Sequence, residues 1–239
     1  MPAVFVHGVP DTFRVWDPVR EHISRTDVIA LALPGFDAPL PTGFHASKEE
    51  YAKWIIEQLE QMGEPVDLVG HDWGCILTMR VASLRPDLIR SWAAGSGPVS
   101  ANYIWHPLAK IWQTPGKGEE WFKNLDPKAL VEFMEKAGLP PKAAQGAASH
   151  IDLTMGDCIL RLYRSALELG TEWQPDLSKV RAPGLVFWGA KDEACPVELA
   201  DTLASDTDAE RVLRFDTGHW TIVEQSHGIA KALETHWER

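Results

Sequence analysis

Six short apolar runs, each separated from the next by a longer stretch of helical patterning, leave this chain few folds. The runs lie near Ala3 to His7, Asp27 to Leu33, Val66 to Gly70, Arg90 to Gly95, Gly184 to Gly189 and Arg211 to Phe215. Continuous apolar runs suit strands covered on both faces, and parallel neighbours need a crossover between them. The expectation is an α/β protein with a mostly parallel sheet of about six strands flanked by helices. The clearest helix covers Lys48 to Met62. Ser47 and Glu50 form an S-x-x-E capping signal, Tyr51, Trp54, Ile55, Leu59 and Met62 share one face, and Gly63 follows as a stop. A second helix, Gly74 to Leu84, begins directly after the third run and ends before Pro86. Between Pro98 and Pro175 no strand signal remains, only helical pieces punctuated by Pro107, Pro115-Gly116, Pro127 and Pro140-Pro141. That length is too great for a loop, so residues 99–176 read as a helical cap inserted after the fourth strand, dividing a core formed by residues 1–98 and 177–239.

Composition narrows the function classes. With 239 residues, 45% hydrophobic and 24% charged, the chain has ordinary globular usage and room for one large domain. Its 23 basic against 34 acidic residues leave a net charge of −11, which repels phosphate backbones and anionic lipid, so neither nucleic acid nor a membrane is an expected partner. The longest run free of Asp, Glu, Lys and Arg, Ser91 to Ala109, holds Gly95, Gly97, Pro98 and Pro107 and does not suit a spanning helix. Pro2 to Val6 reads as a strand rather than a leader peptide. Cys75, Cys158 and Cys195 make no C-x-x-C and leave one thiol over in any pairing, which suits a reducing cytoplasm. A monomer or a homodimer is compatible with all of this.

The pentapeptide Gly70-His71-Asp72-Trp73-Gly74 sits where a strand passes into a helix. Its glycines are spaced as in the nucleophile elbow G-x-S-x-G, but the central residue is Asp, and G-x-S-x-G occurs nowhere in the chain. A carboxylate raised on such a turn is placed to attack an electrophilic carbon and form an alkyl ester; the alternative is that Asp72 only caps the helix. Asp192 follows the fifth strand and His219 the sixth, so the order is nucleophile, acid, base. An imidazole takes a proton from water only when its other nitrogen is held by an acceptor, a part for Asp192, with Glu193 as rival. Val6-His7-Gly8-Val9-Pro10 closes the first strand, and the amides of Val9 and Trp73 are candidates for an oxyanion hole. His7 reads as a ring buried under its loop. Eleven Trp against three Tyr supply flat apolar surface, and Trp73, Tyr103, Trp112 and Trp220 are candidates to line a pocket for a small apolar electrophile.

These motifs resemble the α/β-hydrolase fold, in the branch with an aspartate nucleophile that contains epoxide hydrolases and haloalkane dehalogenases. His7-Gly8-Val9-Pro10 is similar to H-G-x-P, Gly70 to Gly74 to G-x-D-x-G, Trp188-Gly189-Ala190-Lys191-Asp192 to the acid loop, and Gly218-His219-Trp220 to the base loop. The resemblance covers nearly the whole chain, needs no cofactor, and implies a sheet of six strands here, because the chain starts at the H-G-x-P strand. It also implies cap tyrosines that donate protons to an epoxide oxygen. Tyr163 stands where one is expected; the other has no Tyr at its stretch, Leu108 to Gly116, with Tyr103 nearby. In dehalogenases ring N–H groups hold the leaving halide, which implies Trp73 with Trp105 or Trp112. The resulting expectation is an epoxide hydrolase giving vicinal diols. The alternatives are a haloalkane or haloacid dehalogenase and a non-catalytic small-molecule binder.

Overall fold

A computed structural model describes residues 1–238. Six strands form one sheet: β1 (Ala3–Val6), β2 (Val28–Leu31), β3 (Val66–His71), β4 (Ile89–Gly95), β5 (Gly184–Gly189) and β6 (Arg211–Phe215). Their order is β2-β1-β3-β4-β5-β6, and every pair is parallel. Among the described residues there are twelve α-helices. Six carry the crossovers and the end of the chain: α1 (Asp17–Arg20), α2 (Lys48–Met62), α3 (Trp73–Leu84), and later α10 (Glu198–Thr207), α11 (Thr221–Glu224) and α12 (Ser226–Trp237). The other six, α4 (Pro107–Gln113), α5 (Lys117–Lys123), α6 (Pro127–Lys136), α7 (Pro141–Ser149), α8 (Leu153–Ser165) and α9 (Leu169–Trp173), all fall between β4 and β5.

Strands β1, β3 and β5 are buried at every residue, as apolar runs on a sheet covered on both sides must be. Alternate side chains go to opposite faces. Val4, Val6, Leu68, Val186 and Trp188 join the core under α2, α3 and α10, whereas Ala3, Phe5, Val69, Leu185 and Phe187 meet α1 and α12 on the other side. Helix α2 matches its expected bounds. Ser47 accepts the Glu50 amide at 3.3 Å, and Gly63 closes the helix with φ 72°. The Glu50 carboxylate reaches back to the His45 amide at 2.7 Å. Tyr51, Ile55 and Leu59 are fully buried, with Trp54 and Met62 packed partly against the core.

Element ends differ from the sequence reading where a side chain or a turn takes over the backbone bonds. Strand β2 stops at Leu31 instead of Leu33, because the Leu33 amide donates to the His7 ring at 3.2 Å rather than to the ladder. Strand β3 reaches His71 and α3 starts at Trp73, one residue before the expected Gly74, so a single residue makes the turn. No helix among the described residues is long and apolar enough to cross a membrane. The chain leaves β1 toward β2 on one side and returns to β3 on the other. A crevice therefore opens at the carboxyl ends of β1 and β3, the usual place for ligands in such sheets.

Candidate active site

Asp72 is the whole turn between β3 and α3, at φ 54° and ψ −123°. A non-glycine residue there costs about 1–3 kcal/mol and persists only when its surroundings impose it. They do so through the backbone: the Asp72 amide donates to the Gly95 carbonyl at 3.0 Å, and its own carbonyl accepts from Cys75 at 2.9 Å and Ile76 at 3.2 Å. The side chain makes no capping bond to the helix and is left free to point across the crevice. Gly74 lets the turn pass β1, since a Cβ there would lie 2.0 Å from the Val6 carbonyl oxygen. Backbone cannot swing aside as a side chain can, so Gly74→Ala should lower unfolding free energy in urea by at least ~2 kcal/mol. A stability equal to the parent protein's would refute this packing.

The Asp72 carboxylate meets the loop after β1. Its Oδ2 accepts the Val9 amide at 2.7 Å, and the Trp73 amide lies near enough to favour the same charge. Its Oδ1 lies 3.7 Å from Nε2 of His219, beyond hydrogen-bond length. On the far side of the imidazole, Nδ1 donates to Oδ2 of Asp192 at 2.9 Å, an ionised carboxylate being acceptor only. Asp192 is held in turn by the Ala194 and Cys195 amides, which donate to its Oδ1 at 3.0 and 2.8 Å, whereas Glu193 is exposed. Asp72, Asp192 and His219 are thus brought together from three separate strand ends, and all are buried.

Burial raises the Asp72 carboxyl above the ordinary carboxylate range, against the opposing pull of His219 and the two amides. For Asp192 burial acts upward too, but the His219 charge and hydrogen bond outweigh it and the net shift is downward. His219 moves up to about 9: burial works against its charge, and the charge and bond of Asp192, with Asp72 and Asp11, prevail. The arrangement therefore favours an imidazolium flanked by carboxylates near neutral pH.

Aromatic rings wall the crevice. Trp73 is fully buried, lies 6.0 Å from Trp105 in a stack, and meets the edge of Tyr163, on α8, at 5.3 Å. Tyr163 is 2% exposed, and burial with the Asp72 charge keeps its phenol protonated well above the usual value. Trp112, on α4, packs behind Tyr163 at 5.0 Å. Tyr103 adjoins Trp105 at 5.3 Å, but its hydroxyl donates to the Ala194 carbonyl at 2.8 Å, so it braces the acid loop rather than aiming at Asp72. Trp220 is buried with Leu130, Met134, Leu139 and Ala144 of the inserted helices and their links, its ring 5.1 Å from His219.

Two polar residues of this region lie outside the sequence reading. His71 directs Nε2 to the His219 carbonyl at 2.8 Å, and burial first, then the His219 charge, lower it to about 3, so it stays neutral. Asp11 accepts the Trp220 indole N–H at 3.0 Å. The signal for His71 was its variable place inside the Gly70 to Gly74 motif, and for Asp11 its place directly after Pro10. His7 is fully buried, its Nδ1 donating to Gly8 and its Nε2 accepting from Leu33, and burial lowers it to about 4. Asp192, Cys195 and His219 also offer three buried ligand atoms within 4.8 Å of one another. The acid–imidazole bond occupies two of them, so a metal would have to break it.

Residues 3–232 match the sequence profile of the Alpha/beta hydrolase family. The chain belongs to the alpha/beta hydrolase family. Across 97% of this hydrolase and 86% of the relative, it is 25% identical to an uncharacterized hydrolase of Saccharomyces cerevisiae. Among solved structures it is similar to a thermophilic esterase from Thermogutta terrifontis, with TM-score 0.82, 20% identity and coverage of 100% of this chain and 89% of that one. It is also similar to the epoxide hydrolase VrEH1 from Vigna radiata, with TM-score 0.81, 21% identity and coverage of 99% and 91%. At these identities the two structures speak for the shared fold, and the reaction of this hydrolase has to be argued from its own side chains.

Proposed function

We propose that this hydrolase opens epoxides to vicinal diols through an ester on Asp72. The observation that carries the reading is the Asp72 carboxylate with one oxygen on the Val9 amide and the other facing His219. The outer oxygen attacks an oxirane carbon, the ring C–O bond breaks, and the Tyr163 phenol gives its proton to the oxygen released. The remaining carboxylate oxygen becomes the ester carbonyl, already in its hole. Esterification removes the Asp72 charge, which was one of the influences holding His219 up, so the imidazolium gives its proton to the Tyr163 phenolate and is free to act as base. His219 then takes a proton from water as the water oxygen bonds to the ester carbon, and Asp192 stabilises the imidazolium. The tetrahedral anion collapses, the diol oxygen leaves with the proton of the added hydroxyl, and His219 keeps the proton taken from water, the state in which it began. Asp72 is regenerated. Residues 99–176 act as the cap that excludes water from the first step.

The test is His219→Gln mixed with styrene oxide. Attack proceeds and hydrolysis stops, so the peptide containing Asp72 should gain the mass of one epoxide; an unmodified peptide with a fully consumed substrate would sink the proposal. Tyr163→Phe should slow adduct formation by about 10²-fold, the usual weight of a positioned proton donor, while leaving adduct hydrolysis close to the parent rate. Rapid-quench measurement of the two steps decides it, and equal slowing of both would assign Tyr163 to packing.

One observation favours carbon–halogen hydrolysis as a second reading. The indole N–H groups of Trp73 and Trp112 are buried without a well-formed hydrogen bond, the Trp73 N–H having only the Tyr163 phenol beside it. Unpaired buried donors suit a leaving halide. A bromoalkane giving equal halide and alcohol, with no diol from epoxides, would replace the first reading by this one.

A further inference from the structure

Asp11 is a buried acidic residue near both Asp72 and His219 that the proposed reaction does not use. It is 2% exposed, in the same loop as Val9, and its Oδ2 receives the Trp220 indole N–H across 209 residues of chain. Trp220 follows His219 directly, and the two rings touch at 5.1 Å. A single hydrogen bond therefore ties the loop that offers an amide to the ester carbonyl to the loop that carries the base. The base loop is anchored elsewhere as well, by the His219 amide donating to the Ala137 carbonyl at 3.1 Å, the His219 carbonyl bonded to the His71 ring at 2.8 Å and the Gly218 amide donating to Glu224 at 2.9 Å, but none of these bonds leads to the loop after β1.

The geometry points to Asp11 as a positioning residue for the second half-reaction, fixing through Trp220 the distance between His219 and the ester held on the Val9 amide. The inference rests on the reading of Asp72 as nucleophile. Charge accompanies position: the ionisable groups that face Asp11 are Asp72 from the turn after β3 and His219 from the loop after β6, and the Trp220 N–H is its bonded donor. Burial, with the Asp72 charge adding to it, lifts the Asp11 carboxyl to about 7, against the Trp220 bond and His219. When ionised, Asp11 helps to keep His219 protonated.

The experiment follows the two steps separately with styrene oxide in the parent protein and in Asp11→Ala, Asp11→Asn and Trp220→Phe, using rapid quench and adduct mass. Asp11→Ala and Trp220→Phe should form the adduct within about threefold of the parent rate and hydrolyse it about tenfold more slowly or worse, as expected for a base displaced by a fraction of an ångström. Asp11→Asn keeps a carbonyl oxygen for the indole. It should hydrolyse the adduct within about threefold of the parent and shift the acidic limb of that step to lower pH, because the carboxylate that favoured imidazolium is gone. Hydrolysis at the parent rate in Asp11→Ala and Trp220→Phe, an Asp11→Asn as slow as Asp11→Ala, or equal loss in both steps would each overturn the role. If Asp11→Ala does not fold, Trp220→Phe carries the same comparison. Absence of any Asp72 adduct in the parent and in His219→Gln removes the nucleophile reading itself. Adduct formed normally with Asp11 variants indistinguishable from the parent removes only the positioning role.

Discussion

Asp72→Asn should abolish diol formation, lowering kcat by at least about 10⁴-fold, and should leave the fold at least as stable as the parent at pH 7. The first half follows from the removal of the only atom proposed to bond with substrate, for which losses of this size are usual. The second follows from the sign of the carboxyl shift. Burial raises the folded-state value of Asp72 above its unfolded one, so ionising it costs folding free energy at any pH above that range, and the uncharged amide escapes this cost. Asparagine also keeps the shape that the φ 54° turn accommodates. Diol quantified by chromatography and thermal unfolding at pH 7 check the pair of outcomes, with intact mass confirming that the amide persists. Residual turnover within about 100-fold of the parent would mean that another group performs the attack.

Asp192→Ala should separate the two steps. Adduct formation continues near the parent rate, and adduct hydrolysis falls by about 10³–10⁴-fold, the range seen when an imidazole loses the carboxylate that orients it. His219, at about 9 in the parent, should titrate lower, since burial, which opposes its charge, remains while the Asp192 charge and bond are lost. Nitrogen chemical shifts of the imidazole across pH report that value. Stability follows with a defined sign. The raised His219 contributes fully below its unfolded value of 6.5, and the contribution is lost as pH rises through about 9. The depressed Asp192 contributes above its unfolded value of 3.8, and that part is lost as pH falls toward its folded one. The parent should therefore exceed Asp192→Ala in stability most between about pH 4 and 6.5, with the excess shrinking from there to about pH 9. An unchanged His219 titration would contradict the 2.9 Å contact.

Much of this arrangement was legible in the chain because it is local. Continuous apolar runs report strands buried on both faces, and all six expected strands are present. Ser47 and Gly63 mark the ends of α2 through bonds made within a few residues. The short turn around Asp72 was readable from its glycines, since only there can backbone pass within contact of Val6. The exact hand-over from strand to helix was not readable, because the last residues of β3 are decided by pairing with β4 and not by their own preference.

What the side chains do across the crevice escaped the sequence for a different reason. Nothing in the residue string says that the Tyr103 hydroxyl would be spent on the Ala194 carbonyl or that Asp11 would receive the Trp220 indole. Each partner comes from a distant segment, and its direction depends on how loops pack once the sheet has formed. By itself the sequence determined the order of strands and helices and the chemical kinds of residue placed at the strand ends. Tertiary structure alone decided which of those residues face one another, because hydrogen bonds and charges act over a few ångströms of space, whatever the number of residues between them.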